Sequence, residues 1–279
     1  GSSKGTNATT MNYTTTTITS SALSEGTSTW YVNCTDKGGN VDMSPVYTIT
    51  VDSVVPAVTA ITTPASGANV TGVYVFNATV SDATIGLDVV RFNVSNGSNT
   101  IWLTASNPGG DFWNASLNLS TLVENSHTVT VFANDTLGQL NSTVTTTFTV
   151  DNNAPTVFLE SPANGTNTTS TTPSFVYNFT DAASTYASCE LFVNGSSKGT
   201  NATTMNYTTT TIISGALSVG TSTWYVNCTD KVGYVDMSSV YTITVDNVKP
   251  AVTAINSPAT GANLSTGIIT FNATVSDAN

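Results

Sequence analysis

Short runs in which every second residue is apolar recur along the whole chain. VYVFNATVSD, VVRFNVS, FWNASLNL, HTVTVFAND and TTTFTVD lie in one stretch, and SFVYNFTD, CELFVNG, WYVNCTD and VYTITVD in another. A period of two sends alternate side chains to opposite faces of a strand, so each run predicts a strand with one face in a core and one in solvent. Val, Thr, Ile, Tyr and Phe dominate the runs, as β-branched and aromatic side chains suit a pleated, half-covered surface. No stretch carries an apolar stripe at helical spacing. NG, GG and DxxG turn signals separate the runs.

The runs themselves repeat. Shifted by about 194 residues the chain falls on itself, Trp30 on Trp224, Cys34 on Cys228 and Pro56 on Pro250, and about eleven of the first 69 positions differ. A weaker, half-length repeat is marked by VDSVVPAV at Val51, VDNNAPTV at Val150 and VDNVKPAV at Val245. Asp and Asn favour turns and Pro interrupts ladder pairing, so each marker reads as a short linker between domains. The expected order is the later part of a B-type domain (1–53), a complete A-type domain (54–152), a complete B-type domain (153–247) and the start of another A-type domain (248–279). About seven strands per unit of about 97 residues fits an immunoglobulin-like β-sandwich. Neither end piece has strands enough to close a core alone. The expectation is that the chain is a window on a longer array of the same units; strand exchange between subunits is the alternative.

The linker VDNNAPTV, the SPANG that follows, the strand FNATVSDA and the closing pattern HTVTVFANDTLGQ…TFTVD resemble the tandem Ig-like repeats of prokaryotic surface proteins. The cysteine-bearing form, SCELFVNG followed by STWYVNCTDKVG, is most similar to versions in archaeal extracellular proteins. The resemblance covers nearly the whole chain. It implies an all-β fold of tandem Ig-like sandwiches and an extracellular or cell-surface setting, and leaves function open, because such modules serve as stalks, adhesins, enzyme appendages and cell coats. In an Ig-like strand order Cys189 and Cys228 fall on neighbouring strands, which implies a disulfide and an oxidising compartment. Two buried free thiols are the alternative. Cys34 is the copy of Cys228, and the copy of Cys189 would precede Gly1, so its partner is expected outside the chain shown.

Charge changes the picture. Charged residues are 8% of the chain, with six Lys and Arg and a formal net charge of -11. No basic patch for nucleic acid or anionic lipid is available, and no apolar run approaches a membrane span. Ser and Thr make up about three residues in ten and Asn about one in ten. They form about twenty Asn-x-Ser/Thr triplets, roughly twice what composition predicts. The asparagines are Asn7, Asn12, Asn33, Asn69, Asn77, Asn93, Asn96, Asn114, Asn118, Asn134, Asn141, Asn164, Asn167, Asn178, Asn194, Asn201, Asn206, Asn227, Asn263 and Asn272. In WYVNCTD the alternation puts Trp224, Val226 and Cys228 on one face and Asn227 on the other, and Asn77, Asn114, Asn118 and Asn178 follow suit. Outward sequons predict a glycan coat that shields weakly charged sheets from edge pairing; plain solvated surface is the alternative. Asn7, Asn12, Asn201 and Asn206 are expected on an exposed rim.

Aspartates recur at three places: the linker (Asp52, Asp151, Asp246), the turn after the second strand (Asp82, Asp181, Asp277) and the turn before the last strand (Asp36, Asp135, Asp230). In an Ig-like fold these loops share the pole at which the linker enters. Two readings stand: each Asp caps its own turn, or the sets Asp52, Asp82, Asp135 and Asp151, Asp181, Asp230 converge on calcium at the domain junctions. No HExxH, GxSxG or phosphate loop is present, and the single His127 is expected at a strand edge rather than as a general base. No other cofactor is implied. The pattern fits a structural, non-catalytic segment of a heavily N-glycosylated extracellular fibre, stalk or coat, whose partners are further copies of its own repeats. An adhesin or ligand-binding module is the alternative. Against it, the differences between copies, such as Thr19/Ile213, Glu25/Val219, Gly38/Val232 and Asn40/Tyr234, are scattered rather than gathered in one loop set.

Overall fold

The computed structural model describes residues 2–265 and 267–277. Among them every regular element is a strand except for one 3-10 turn at Leu119–Thr121. The chain divides into two compact units, 1–150 and 151–279, and each holds one complete sandwich.

In the first unit one sheet runs Ser106–Gly109, Phe112–Asn118, Val73–Ser81, Ala57–Thr63. The other runs Ala68–Val70, Thr145–Val150, Ser126–Asp135, Leu87–Ser95, Thr100–Thr104. The neighbours are antiparallel except for Ala68–Val70, which lies parallel to Thr145–Val150. Alternate residues fill the space between the sheets: Phe76, Ala78 and Val80 from one, Phe92, Val131, Phe148 and their neighbours from the other. Phe76 meets Phe148 edge-on, with ring centroids 5.5 Å apart. His127 is buried in this core, its ring stacked on Phe148 at 5.6 Å and its Nδ1 3.0 Å from the Asn125 carbonyl. The strand-edge expectation for His127 is therefore corrected: Ser126–Asp135 has a neighbour on each side, and its inward parity carries the imidazole with it.

The second unit repeats the plan with Thr156–Ser161, Ser174–Thr180 and Thr210–Ile213 in one sheet. The other runs Thr166–Thr168, Tyr241–Val245, Gly220–Thr229, Tyr186–Val193, Ser196–Met205. Trp224 is fully buried, edge-on to Phe175 at 4.7 Å and to Tyr241 at 5.7 Å. Tyr177 and Thr204, from opposite sheets, share a buried hydroxyl–hydroxyl hydrogen bond of 2.9 Å. Burial pushes the Tyr177 phenol up, and the Thr204 bond only partly offsets it. Val193 pairs with Ser196 across the Asn194–Gly195 turn, where φ is 48° and 72°. That is the two-residue left-handed turn that Asn-Gly adopts readily, so the sequence sets the hairpin register.

Cys189 and Cys228 are directly opposite on neighbouring strands, with Cα atoms 4.0 Å apart, and form a fully buried disulfide. Cys34 is exposed, on the Asn33–Thr35 strand. Around it, Gly26–Trp30 pairs with Tyr47–Val51 in the register that Gly220–Trp224 keeps with Tyr241–Val245. Identical ladders have different surroundings: Trp30 is 48% exposed and Trp224 0%. Burial of the second indole comes from the facing sheet, through Phe175, not from its own strand.

Two outcomes follow from this packing. Trp224→Ala is expected to cost the second domain about 3–5 kcal/mol, measured by denaturant unfolding. Replacing both Cys189 and Cys228 by Ala opens a loop of 39 residues and removes about 4 kcal/mol on the chain-entropy account.

Candidate functional site

The repeated aspartates sit where strands leave the core. In Ser174–Thr180 the residues Phe175, Tyr177 and Phe179 point inward, and Asp181 continues their parity one step past the strand. In Gly220–Thr229 the inward series Trp224, Val226, Cys228 continues to Asp230. Asp82 extends Phe76, Ala78, Val80 and Asp135 extends Val129, Val131, Ala133 in the same way. The linker supplies the third carboxylate: Asp52 follows Val51, and Asp151 follows Val150. In each unit the three carboxylates converge. Asp52, Asp82 and Asp135 offer oxygens all within 4.8 Å of one another, and so do Asp151, Asp181 and Asp230. Asp36 is exposed and Asp246 half-buried; neither these two nor Asp277 forms such a trio among the described residues.

Turn capping and convergence coexist, because a carboxylate has two oxygens. Asp230 Oδ1 accepts the N–H groups of Val232, Gly233 and Tyr234 at 2.9, 2.7 and 2.9 Å. Gly233, at φ 98°, supplies the left-handed step that folds the loop back onto the carboxylate. Asp181 Oδ1 accepts from Ala183 N at 2.8 Å and Ser184 N at 2.6 Å. Asp82 Oδ1 accepts from Thr84, Ile85 and Gly86, each at 3.0 Å. The second oxygens differ between copies. Asp135 Oδ2 accepts from Gln139 Nε2 at 2.9 Å, and the same amide reaches the Asp52 carbonyl at 3.3 Å. Asp36 Oδ2 accepts from Asn40 Nδ2 at 2.9 Å. The residue four places after Asp230 is Tyr234, and Asp230 Oδ2 is buried with no hydrogen-bond partner, as is Asp181 Oδ2.

The ionisation of these groups follows their donors. Burial pushes the Asp82 carboxyl up, but its three backbone donors outweigh that and hold it below the ordinary range. The Asn40 side chain and backbone likewise hold Asp36 down. Asp230 goes the other way: burial raises it, its three N–H donors pull back, and the charge on Asp181 pushes it further up. Asp230 is thus a carboxylate whose charge is only partly compensated. Lys231, next in the chain, directs its ammonium to Thr185 Oγ1 at 2.8 Å and over the Tyr186 ring at 4.5 Å.

None of the sequon asparagines is buried. Asn7, Asn12, Asn33, Asn118, Asn164, Asn167, Asn194, Asn263 and Asn272 are exposed; the rest are half-buried. Mid-strand members sit between neighbouring side chains: Asn178 Nδ2 donates to Glu160 Oε1 at 2.7 Å and Asn77 Nδ2 to Thr63 Oγ1 at 2.8 Å. Asn206 departs from the expected exposed rim. Its Oδ1 accepts from Asp181 N at 3.0 Å, and its Nδ2 donates to the carbonyls of Asp181 at 2.6 Å and Ser184 at 3.1 Å. It is a clamp on the loop that carries Asp181. Nothing in the phrase itself marks this role, and its twin Asn12 is exposed.

Residues 56–131 match the family model described as a bacterial Ig domain, Big_7. No curated protein matches the chain. Among solved structures, the fibronectin(III)-like modules of CbhA from Clostridium thermocellum align at 15% identity and a TM-score of 0.35, covering 67% of this chain and 93% of that one. A tetra-tandem repeat in the extending region of a large adhesion protein aligns at 18% identity and a TM-score of 0.33, covering 84% and 61%. The FN1–FN3 domains of chicken CNTN1 align at 10% identity and a TM-score of 0.36, covering 78% and 75%. The family match falls on the first sandwich, over residues 56–131.

Proposed function

We propose that the chain is a structural, non-catalytic segment of an extracellular, N-glycosylated array of Ig-like domains, whose mechanical neighbours are further domains of its own kind. The observation that carries this reading is the sequon pattern. The triplets are carried through the repeat with the strands themselves, and every sequon asparagine keeps some exposure, while beside the mid-strand members Asn77, Asn93, Asn178 and Asn227 the neighbouring residues fill the core. The buried Cys189–Cys228 disulfide supports an oxidising compartment. With charged residues at 8% of the chain, sugar is the available means of keeping Thr-rich sheet faces and edges apart. The bacterial Ig domain match of the first sandwich is in keeping with a surface protein that is structural or adhesive. No helix among the described residues is long and apolar enough to cross a membrane.

Sugar and structure compete at one position. An amide carries two N–H donors, and N-glycosylation consumes one. Asn206 uses both, whereas Asn164 and Asn167 are exposed and donate none of the hydrogen bonds found here. Glycopeptide mapping of protein from its own cells is expected to find sugar on Asn164 and Asn167 and bare Asn206. Unmodified peptides at all the exposed sequons overturn the coat. For the clamp itself, Asn206→Asp keeps the shape and loses the donors, and is expected to destabilise the second domain by about 1–3 kcal/mol, with Asn167→Asp within about 0.5 kcal/mol in the same unfolding assay.

A further inference from the structure

We propose that Asp151, Asp181 and Asp230 form a calcium site in the second sandwich, and that it binds more tightly than the corresponding trio of the first sandwich, where an amide takes up one carboxylate oxygen. The three carboxylates contribute oxygens within 4.8 Å of one another. Calcium binds oxygen at about 2.3–2.6 Å, so two ligands on one ion lie at most about 5 Å apart, and the trio fits on a single coordination sphere. Proximity of acids alone is not a site. The second observation is that Asp181 and Asp230 are only 9% and 7% exposed, yet each keeps one oxygen with no hydrogen-bond partner, inside the trio. Their other oxygens are occupied by the turns, which fix the carboxylates in place and leave the second oxygen of each to a ligand. Buried carboxylates held this close repel one another, and a cation among them relieves that repulsion.

The first sandwich is the internal control. There Gln139 donates one amide to Asp135 Oδ2 and to the carbonyl of Asp52, so the last-loop carboxylate is closed by an amide and one buried unpartnered oxygen, Asp52 Oδ2, is left in that trio against one each on Asp181 and Asp230 in the second. Asn40 supplies the same amide to Asp36. Tyr234, at the same offset from Asp230, brings no amide, and Asp230 Oδ2 stays open. The donors are all hard oxygen, which favours calcium over softer metals, and three carboxylates leave room for water in a shell of six to eight. That places the expected affinity among extracellular modules, at about 10⁻⁴–10⁻³ M. The ion would tie Asp151, the first residue of the unit, to two loops of the same sandwich.

The test is a calcium titration of the whole chain after chelator treatment, read by thermal unfolding and by hydrogen exchange of peptides spanning 181–184 and 230–234. Calcium at millimolar concentration is expected to raise the unfolding midpoint and to slow exchange in both peptides, with one equivalent bound in the range of about 10⁻⁴–10⁻³ M by calorimetry. Asp230→Asn is expected to weaken binding by at least about tenfold while leaving the calcium-free midpoint unchanged or higher, because a repulsion is relieved. Tyr234→Gln, which imports the Gln139 amide, is expected to weaken binding in the same direction. No calcium response of the parent chain, a response equal with magnesium alone, or an undiminished response in Asp230→Asn overturns the proposal. If Asp230→Asn does not fold, the parent titration and Tyr234→Gln decide it.

Discussion

In a strand of period two, the residue two places beyond the last core side chain faces the same way as the core. Both sandwiches depend on that constraint twice. Within the strands it packs Phe76, Phe92 and Phe148 in one unit and Phe175, Tyr177 and Trp224 in the other. At the strand ends it turns Asp82, Asp135, Asp181 and Asp230 inward over the mouth of the same cores. A charge in that position is tolerable only with donors close by, and the loops supply them: every one of these aspartates folds its own turn around one carboxylate oxygen. The pole of each sandwich is therefore a consequence of its core, one residue further along the same strands.

Much of this was legible in the letters. The long inner strands announce themselves because both neighbours and the facing sheet force strict alternation, as in Ser126–Asp135 and Gly220–Thr229. The recurrence of Asp at three fixed places was enough to bring the right six carboxylates together. Other elements were silent for physical reasons. Ser196–Met205 buries only Thr204, because it is the outermost strand of its sheet and its role is hydrogen bonding, so its letters read as polar filler. The clamp formed by Asn206 was hidden, since three of its bonds run to backbone atoms more than twenty residues away. His127 was misread because a polar letter on an inner strand still obeys the strand's parity.

The repeat separates what sequence determines from what packing determines. Trp30 and Trp224 share their neighbours in sequence and their ladder partners, Tyr47 and Tyr241. Pairing and register are the same in both copies, so they belong to the local sequence. Burial of Trp224 comes from the facing sheet of its own sandwich, through Phe175. The cysteines divide along the same line: Cys228 is buried and bonded to the strand beside it, while Cys34, its copy, lies exposed.

The differences at one offset then carry more meaning than their number suggests. Gln139, Asn40 and Tyr234 each stand four residues after the last-loop aspartate. The first two close its free oxygen with an amide; the third leaves it open in a buried setting. An amide is neutral and moves at most one hydrogen bond's worth of charge, so it satisfies one carboxylate and leaves a neighbouring pair still repelling. A divalent cation compensates two at once and holds three in place. If the second trio takes calcium as proposed, the same loop backbone, with its capped turn and left-handed glycine, serves both solutions, and the choice between an amide tie and one set by the surrounding ion concentration rests on a single side chain.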